Sequence, residues 1–269
     1  MTGLRGKVRT HPLIWFVGLT YLLSWWSVPF ANGSLIPYGP TLAALIVIAA
    51  TKGRPGFAEL RRRLTSWQGG FVWLLIAPGL VIIYLSLAFV TNLLLGAEIS
   101  STAHLAPAGG TILTLVLLGG WWEELGWSGY ALPLLQERQA GRRLGLLKAS
   151  LTLGLIRSGW HLPLALYGRI PWYDAVIFSF AFQFLISWLF NRTGGSALPP
   201  MLFHLTSNVV GGALMVPMFV GVDFERYYLL FIAYACLLAI VLNAPKGWYM
   251  GRRRDADGLM RQRHEPVRG

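Results

Sequence analysis

Long runs without a charged residue constrain this chain more than any other feature. About 20 apolar residues in a helix cross the roughly 30 Å hydrocarbon layer of a bilayer, and eight stretches approach or exceed that length: Leu13 to Phe30, Leu35 to Thr51, Phe71 to Ala97, Thr111 to Leu135, Leu144 to Tyr167, Trp172 to Phe190, Ser196 to Val222 and Tyr227 to Ala244. With 55% hydrophobic and only 13% charged residues over 269, a water-soluble or disordered chain is excluded. In a bilayer every backbone polar group must be paired within the segment, so apolar stretches of this length point to helices. The expected fold class is all-α: a polytopic membrane protein of about eight transmembrane helices, enclosing a polar cavity. Cys236 is the single cysteine, which excludes an internal disulfide framework and a cysteine metal cluster.

The formal charge of +12 would suggest nucleic-acid binding in a soluble protein. Here the positions of the basic residues decide its meaning. With eight spans and both termini on one side, 20 of the 23 Lys and Arg fall in that side's segments, Arg169 and Arg226 fall opposite, and Arg157 lies inside the fifth span. The positive-inside rule makes the basic side cytoplasmic. The expected organisation is a cytoplasmic N-terminal tail (1–12), an eight-helix domain (13–244) and a basic, disordered cytoplasmic tail (245–269). The membrane is read as a prokaryotic plasma membrane, with the bilayer and a membrane-associated protein or peptide as partners and no nucleic acid. Phe57, Leu60, Leu64 and Trp67 recur at helical spacing beside Arg61 to Arg63, which suits a helix lying on an anionic inner leaflet.

Charged groups inside a span cost about 2.5 to 3.5 kcal/mol each on insertion scales, so those present carry information. The fourth span contains Glu123 and Glu124, the fifth Arg157 and His161, the seventh His204 and Asn208. The last two pairs are spaced i,i+4, on one helix face. Two carboxylates, two imidazoles and an amide from three helices suit one wet cavity. Adjacent carboxylates in low dielectric repel, and share one proton unless a cation is near. An ionised glutamate can act as a general base, an imidazole can share its water or bind a metal, and an amide can donate to an oxyanion. A lone membrane His or Asn more often joins helices than catalyses. The full set argues for chemistry.

The motifs Glu123-Glu124-Leu125-Gly126-Trp127-Ser128, Trp160-His161-Leu162-Pro163 and His204-Leu205-Thr206-Ser207-Asn208 resemble, in order and spacing, those of the CPBP intramembrane proteases, or type II CAAX prenyl endopeptidases. The resemblance covers about residues 110 to 212. It implies an intramembrane endopeptidase in which Glu123 and His161 activate water while His204 and Asn208 stabilise the oxyanion, with Glu124 completing the catalytic set. No cofactor is firmly implied. A divalent metal such as zinc, bound by His161 and His204, is the alternative to a metal-free site, although no His-Glu-x-x-His pair occurs.

The family's motif arginine is Ser128 here. Arg157, one turn before His161, is the expected replacement cation for Glu124. Rival readings are a catalytically silent immunity or scaffold protein, a proton-relaying transporter, and a rhomboid-like serine protease using Ser128 of Gly126-Trp127-Ser128-Gly129.

Overall fold

The computed structural model describes residues 3–65, 70–100, 108–142 and 144–244. Among the described residues the regular structure is helical, without a strand. Among the described residues four segments are long and apolar enough to cross a membrane: Val72–Leu94 (α5), Asp174–Arg192, Leu198–Met218 and Gly221–Asn243 (α12). The chain is a multi-pass membrane protein.

The other expected spans take different forms. The first two are shorter helices, Pro12–Trp25 (α2) and Gly39–Thr51 (α3), each with a proline in its first turn, where the missing N–H has no intrahelical partner to lose. Between them the Ser27 hydroxyl donates to the carbonyls of Ser24 and Ser34, and the Ile36 N–H to the Ser24 carbonyl. The fifth span is Gly145–Leu166 (α9), 22 residues including Lys148, Arg157 and His161, or about 33 Å of helix.

The amino-terminal segment expected as a tail contains a helix, Leu4–Thr10 (α1), whose Val8 is buried. The basic tail from 245 onward lies outside the described residues, as does Trp67. Arg54–Thr65 (α4) is the expected basic helix, but its faces are assigned differently. Gly56, Leu60 and Arg63 turn into the protein while Phe57 remains exposed. The Arg63 carbonyl accepts the Ala197 N–H at 2.8 Å and the Ser196 hydroxyl at 3.3 Å, so α4 braces the chain entering the seventh span.

Two apolar clusters organise the interior. One joins α2 and α3 to Trp127, Leu132, Leu153 and Trp160; the other joins α5 and α12 to Phe182, Leu185 and Phe203. The polar residues of the spans lie where these clusters meet. The two ends of the molecule also separate. Arg9, Lys52, Arg63 and Glu137 gather around one pocket, whereas at the other end Asn92 donates to the Asp223 carbonyl and Tyr173 to Glu225.

Candidate active site

The expected fourth span is broken. Ala108–Leu118 (α6) ends at Gly119, whose backbone is extended, and is followed by a 3-10 turn (Gly120–Trp122), a single α turn (Glu123–Gly126, α7), a π-helical segment (Trp127–Ala131) and Leu132–Arg138 (α8). Such a break strands carbonyls inside the membrane unless side chains reach them. The indole N–H of Trp121 donates to the Val116 carbonyl at 2.8 Å, and that of Trp122 to Leu117 at 3.0 Å. Tyr38 also donates to Leu117, at 2.8 Å, and the Thr41 hydroxyl to the Trp122 carbonyl. The Trp-Trp pair before the glutamates is therefore part of what permits the break. Gly126 fixes the position of α7: a Cβ there would stand 2.3 Å from the Pro40 backbone, so only glycine lets α7 approach the start of α3.

That geometry buries both glutamates, Glu123 at 5% and Glu124 at 0% exposure. Burying a carboxylate is costly unless it is paired and hydrogen-bonded. Glu124 meets this requirement three times. Arg157 Nη2 lies 2.7 Å from its Oε1, His204 Nδ1 lies 2.9 Å from the same oxygen, and the Ser128 hydroxyl donates to Oε2. The 1%-exposed Arg157 is held in turn by Gln183, whose Oε1 accepts from Nη1 at 3.3 Å. Its guanidinium stands over the rings of Trp127 and Phe182, at 5.9 and 5.4 Å from their centroids, one ring from each apolar cluster. The cation expected to replace the motif arginine thus reaches Glu124 from α9, while Ser128 remains as a neutral donor.

Glu123 is less completely satisfied. Among the described residues its Oε2 makes no hydrogen bond within ordinary geometry, and it lies 3.9 Å from Arg157 Nη2. Its Oε1 faces a small space beside Gly120. A Cβ on that glycine would meet Glu123 Oε1 at 2.6 Å, His204 Nε2 at 3.0 Å and Asn208 Nδ2 at 3.2 Å. Three atoms from two separate spans thus crowd one point: a carboxylate oxygen, an imidazole nitrogen and an amide nitrogen. His204 lies on Leu198–Thr206 (α11), and Asn208 in the π-helical continuation Ser207–Met215.

His161 joins this group indirectly. Its Nδ1 lies 3.0 Å from the Arg157 carbonyl and 3.1 Å from the Ser179 hydroxyl, and among the described residues it has no hydrogen bond to either glutamate. Facing a carbonyl, Nδ1 is the protonated nitrogen, which leaves Nε2 with its lone pair free. Glu123, Glu124, His204, Asn208 and Arg157 are brought together directly, and His161 stands one helical turn from Arg157.

Gly120, Gln183 and Ser179 were not legible as site residues. The Gly119-Gly120 pair beside two tryptophans and two glutamates was the available signal for the first. Gln183 and Ser179, on Ser179–Arg192 (α10), offered none.

A guanidinium stands beside both carboxylates, and among the described residues no three His, Cys, Asp or Glu form a metal-binding group. Ser128 is fully buried and donates to Glu124, and among the described residues its hydroxyl has no hydrogen bond to an imidazole or amine.

Comparison with known proteins supports the resemblance read from the motifs. Residues 106–210 match the family model described as Type II CAAX prenyl endopeptidase Rce1-like. Over 109 residues the chain is 31% identical to CAAX prenyl protease 2 of Methanococcus maripaludis, covering 36% of this chain and 38% of that protein. The chain therefore aligns with little more than a third of that relative's length. The matched region contains both glutamates, Arg157, both histidines and Asn208.

Proposed function

We propose that this chain is a CAAX-type intramembrane endopeptidase that hydrolyses a peptide bond of a membrane-associated protein or peptide with water activated by Glu123. The observation that carries this reading is the convergence of Glu123 Oε1, His204 Nε2 and Asn208 Nδ2 beside Gly120. A base and two groups able to donate to an oxyanion lie at one place, as acyl transfer to water requires.

In this reading Glu123 accepts a proton from water as its oxygen attacks the scissile carbonyl, and His161 Nε2 is the second acceptor that orients this water. The carbonyl oxygen becomes an oxyanion that receives hydrogen bonds from Asn208 Nδ2–H and from Nε2–H of His204 as the imidazolium. The new carbon–oxygen bond remains, the carbon–nitrogen bond breaks, and the proton held by Glu123 passes to the departing amine. Glu124 takes no proton in this scheme. Held by Arg157 and Ser128, it fixes His204 through Nδ1 and so aims Nε2. With His204 charged, two carboxylates face two cations, so the buried set is neutral overall. No step passes through a metal.

The basic segments gathered at the pocket end supply the orientation: that face is cytoplasmic, with both termini on it, in a prokaryotic plasma membrane. In this reading residues 13–244 form the membrane domain. The reading is tested by Glu123→Gln in the full chain, reconstituted with a membrane-anchored reporter peptide. Removing the base is expected to lower cleavage at least about 100-fold. Cleavage retained within threefold would refute the role given to Glu123, and no cleavage by the unmodified chain would favour a silent scaffold.

A further inference from the structure

Against the π-helical segment that follows the glutamates lies a pocket of ≈ 250 Å³. It opens among the ends of α1, α3, α4 and α8, the basic face of the molecule. Its walls are apolar where Ile48, Leu60, Pro133 and Leu134 meet it, and cationic where Arg9, Lys52 and Arg63 do. Two acids also line it, Glu59 and Glu137. Glu59 is already shared by two of the cations, with Lys52 Nζ at 3.1 Å and Arg63 Nη2 at 2.5 Å. Arg9 makes no ion pair among the described residues, and the lining keeps a positive excess.

Tyr130 makes the pocket specific. The residue is only 8% exposed, its ring packs against Phe16 with centroids 5.3 Å apart, and among the described residues its hydroxyl makes no hydrogen bond, although it lines this pocket. A hydroxyl donor that shares one lining with Arg9 and with apolar walls is complementary to a phosphate oxygen carried on an apolar stem.

We propose that this pocket binds the headgroup of an acidic phospholipid of the adjacent leaflet, with Tyr130 and Arg9 on the phosphate and the upper acyl chain along Pro133 and Leu134. The bound lipid contacts the π-helical segment that directly follows Glu123 and Glu124, since Gly129 and Tyr130 belong to both. Lipid occupancy therefore braces the segment that follows the glutamates, and none of Glu123, His161, His204 or Asn208 lines the pocket. This inference concerns binding alone and stands apart from the proteolytic reading.

The test is a thermal unfolding titration of the full chain in neutral detergent with dioctanoyl-phosphatidylglycerol, dioctanoyl-phosphatidylcholine or glycerol phosphate. The acidic lipid is expected to give a saturable rise in Tm of about 3 °C or more. Tyr130→Phe, which keeps the ring on Phe16, and Arg9→Gln should each weaken the apparent affinity roughly tenfold. Leu134→Trp, which fills the pocket, should abolish the rise. An equal rise with the choline lipid, an unchanged titration in Tyr130→Phe and Arg9→Gln, or a response to glycerol phosphate matching that to the lipid would overturn the proposal. Where Leu134→Trp lowers the ligand-free Tm, the Tyr130→Phe comparison decides.

Discussion

Arg157→Gln removes the charge on which the buried cluster depends. The parent guanidinium is 1% exposed, 2.7 Å from Glu124, 3.9 Å from Glu123 and stacked between Trp127 and Phe182. Glutamine retains part of the packing and one amide donor but leaves two buried carboxylates with only the His204 imidazolium of the proposed scheme as countercharge. Removing one partner of a buried ion pair costs about 3 to 5 kcal/mol, and the loss of two ring contacts adds roughly 1 to 2 kcal/mol. The variant is therefore expected to unfold at least about 3 kcal/mol more easily, measured by steric trapping in bicelles. Cleavage of a tethered reporter peptide should fall about 100-fold, equivalent to roughly 2.7 kcal/mol of barrier, because Glu124 no longer holds His204 in place. Glu124→Gln/Arg157→Gln isolates the pair: with both charges gone, most of the lost stability should return although activity does not. The double change Ser128→Arg/Arg157→Gln returns a guanidinium from the motif position, and should recover at least about tenfold of the activity lost. A cost below about 1 kcal/mol for Arg157→Gln, or a double glutamine variant no more stable than the single one, would refute the role given to Arg157.

The glycines make a graded set. Gly120→Ala drives a methyl against Glu123 Oε1, His204 Nε2 and Asn208 Nδ2, and should cut cleavage more than about tenfold while costing about 1 to 2 kcal/mol of stability; normal cleavage would show that the convergence is not used. Gly126→Ala meets the Pro40 backbone at 2.3 Å, which cannot yield, so unfolding should become easier by about 3 kcal/mol. Gly212→Ala, with nothing within 4 Å of the added methyl, serves as the unaffected control in both measurements. At the pocket end, burial pushes the Glu59 carboxyl up, but Lys52 and Arg63 outweigh it and hold it below the ordinary carboxylate range. A depressed carboxylate stabilises the fold above its unfolded pKa, and that contribution is lost as pH falls through the folded value. Stability should decline by no more than about 1 kcal/mol between pH about 5 and about 3, and Glu59→Gln should flatten that decline in acid unfolding curves. Ser179→Ala frees His161 Nδ1 from one of its two neighbours, and should lower kcat a few-fold without changing KM, whereas Ser179→Thr should restore it.

Class and chemistry were legible in the chain because both depend on local properties. Uncharged runs declare helices in a bilayer without reference to any neighbour, and a charged residue in such a run is conspicuous wherever it later sits. Arg157 was identifiable for that reason, as the sole Lys or Arg of the fifth span outside its basic end. The same reasoning misjudged continuity. The fourth span reads as one apolar helix, yet Gly119, two indole donors and Tyr38 allow it to break before Glu123. The stripe on α4 was correctly helical, but Leu60 packs inward while Phe57 faces out, since periodicity defines a face and not what covers it.

By itself, then, the sequence determined that this chain crosses a membrane as helices, which end of the molecule is basic, and which ionisable residues lie in the spans. The tertiary structure decided that Arg157 answers Glu124 from another helix, that Gln183 holds Arg157, and that Gly120 leaves the space in which Glu123, His204 and Asn208 meet. The physical reason is range. Transfer into hydrocarbon is a sum over single residues and can be read along the chain, whereas pairing of buried charges depends on ångström-scale distances between segments that only packing brings together.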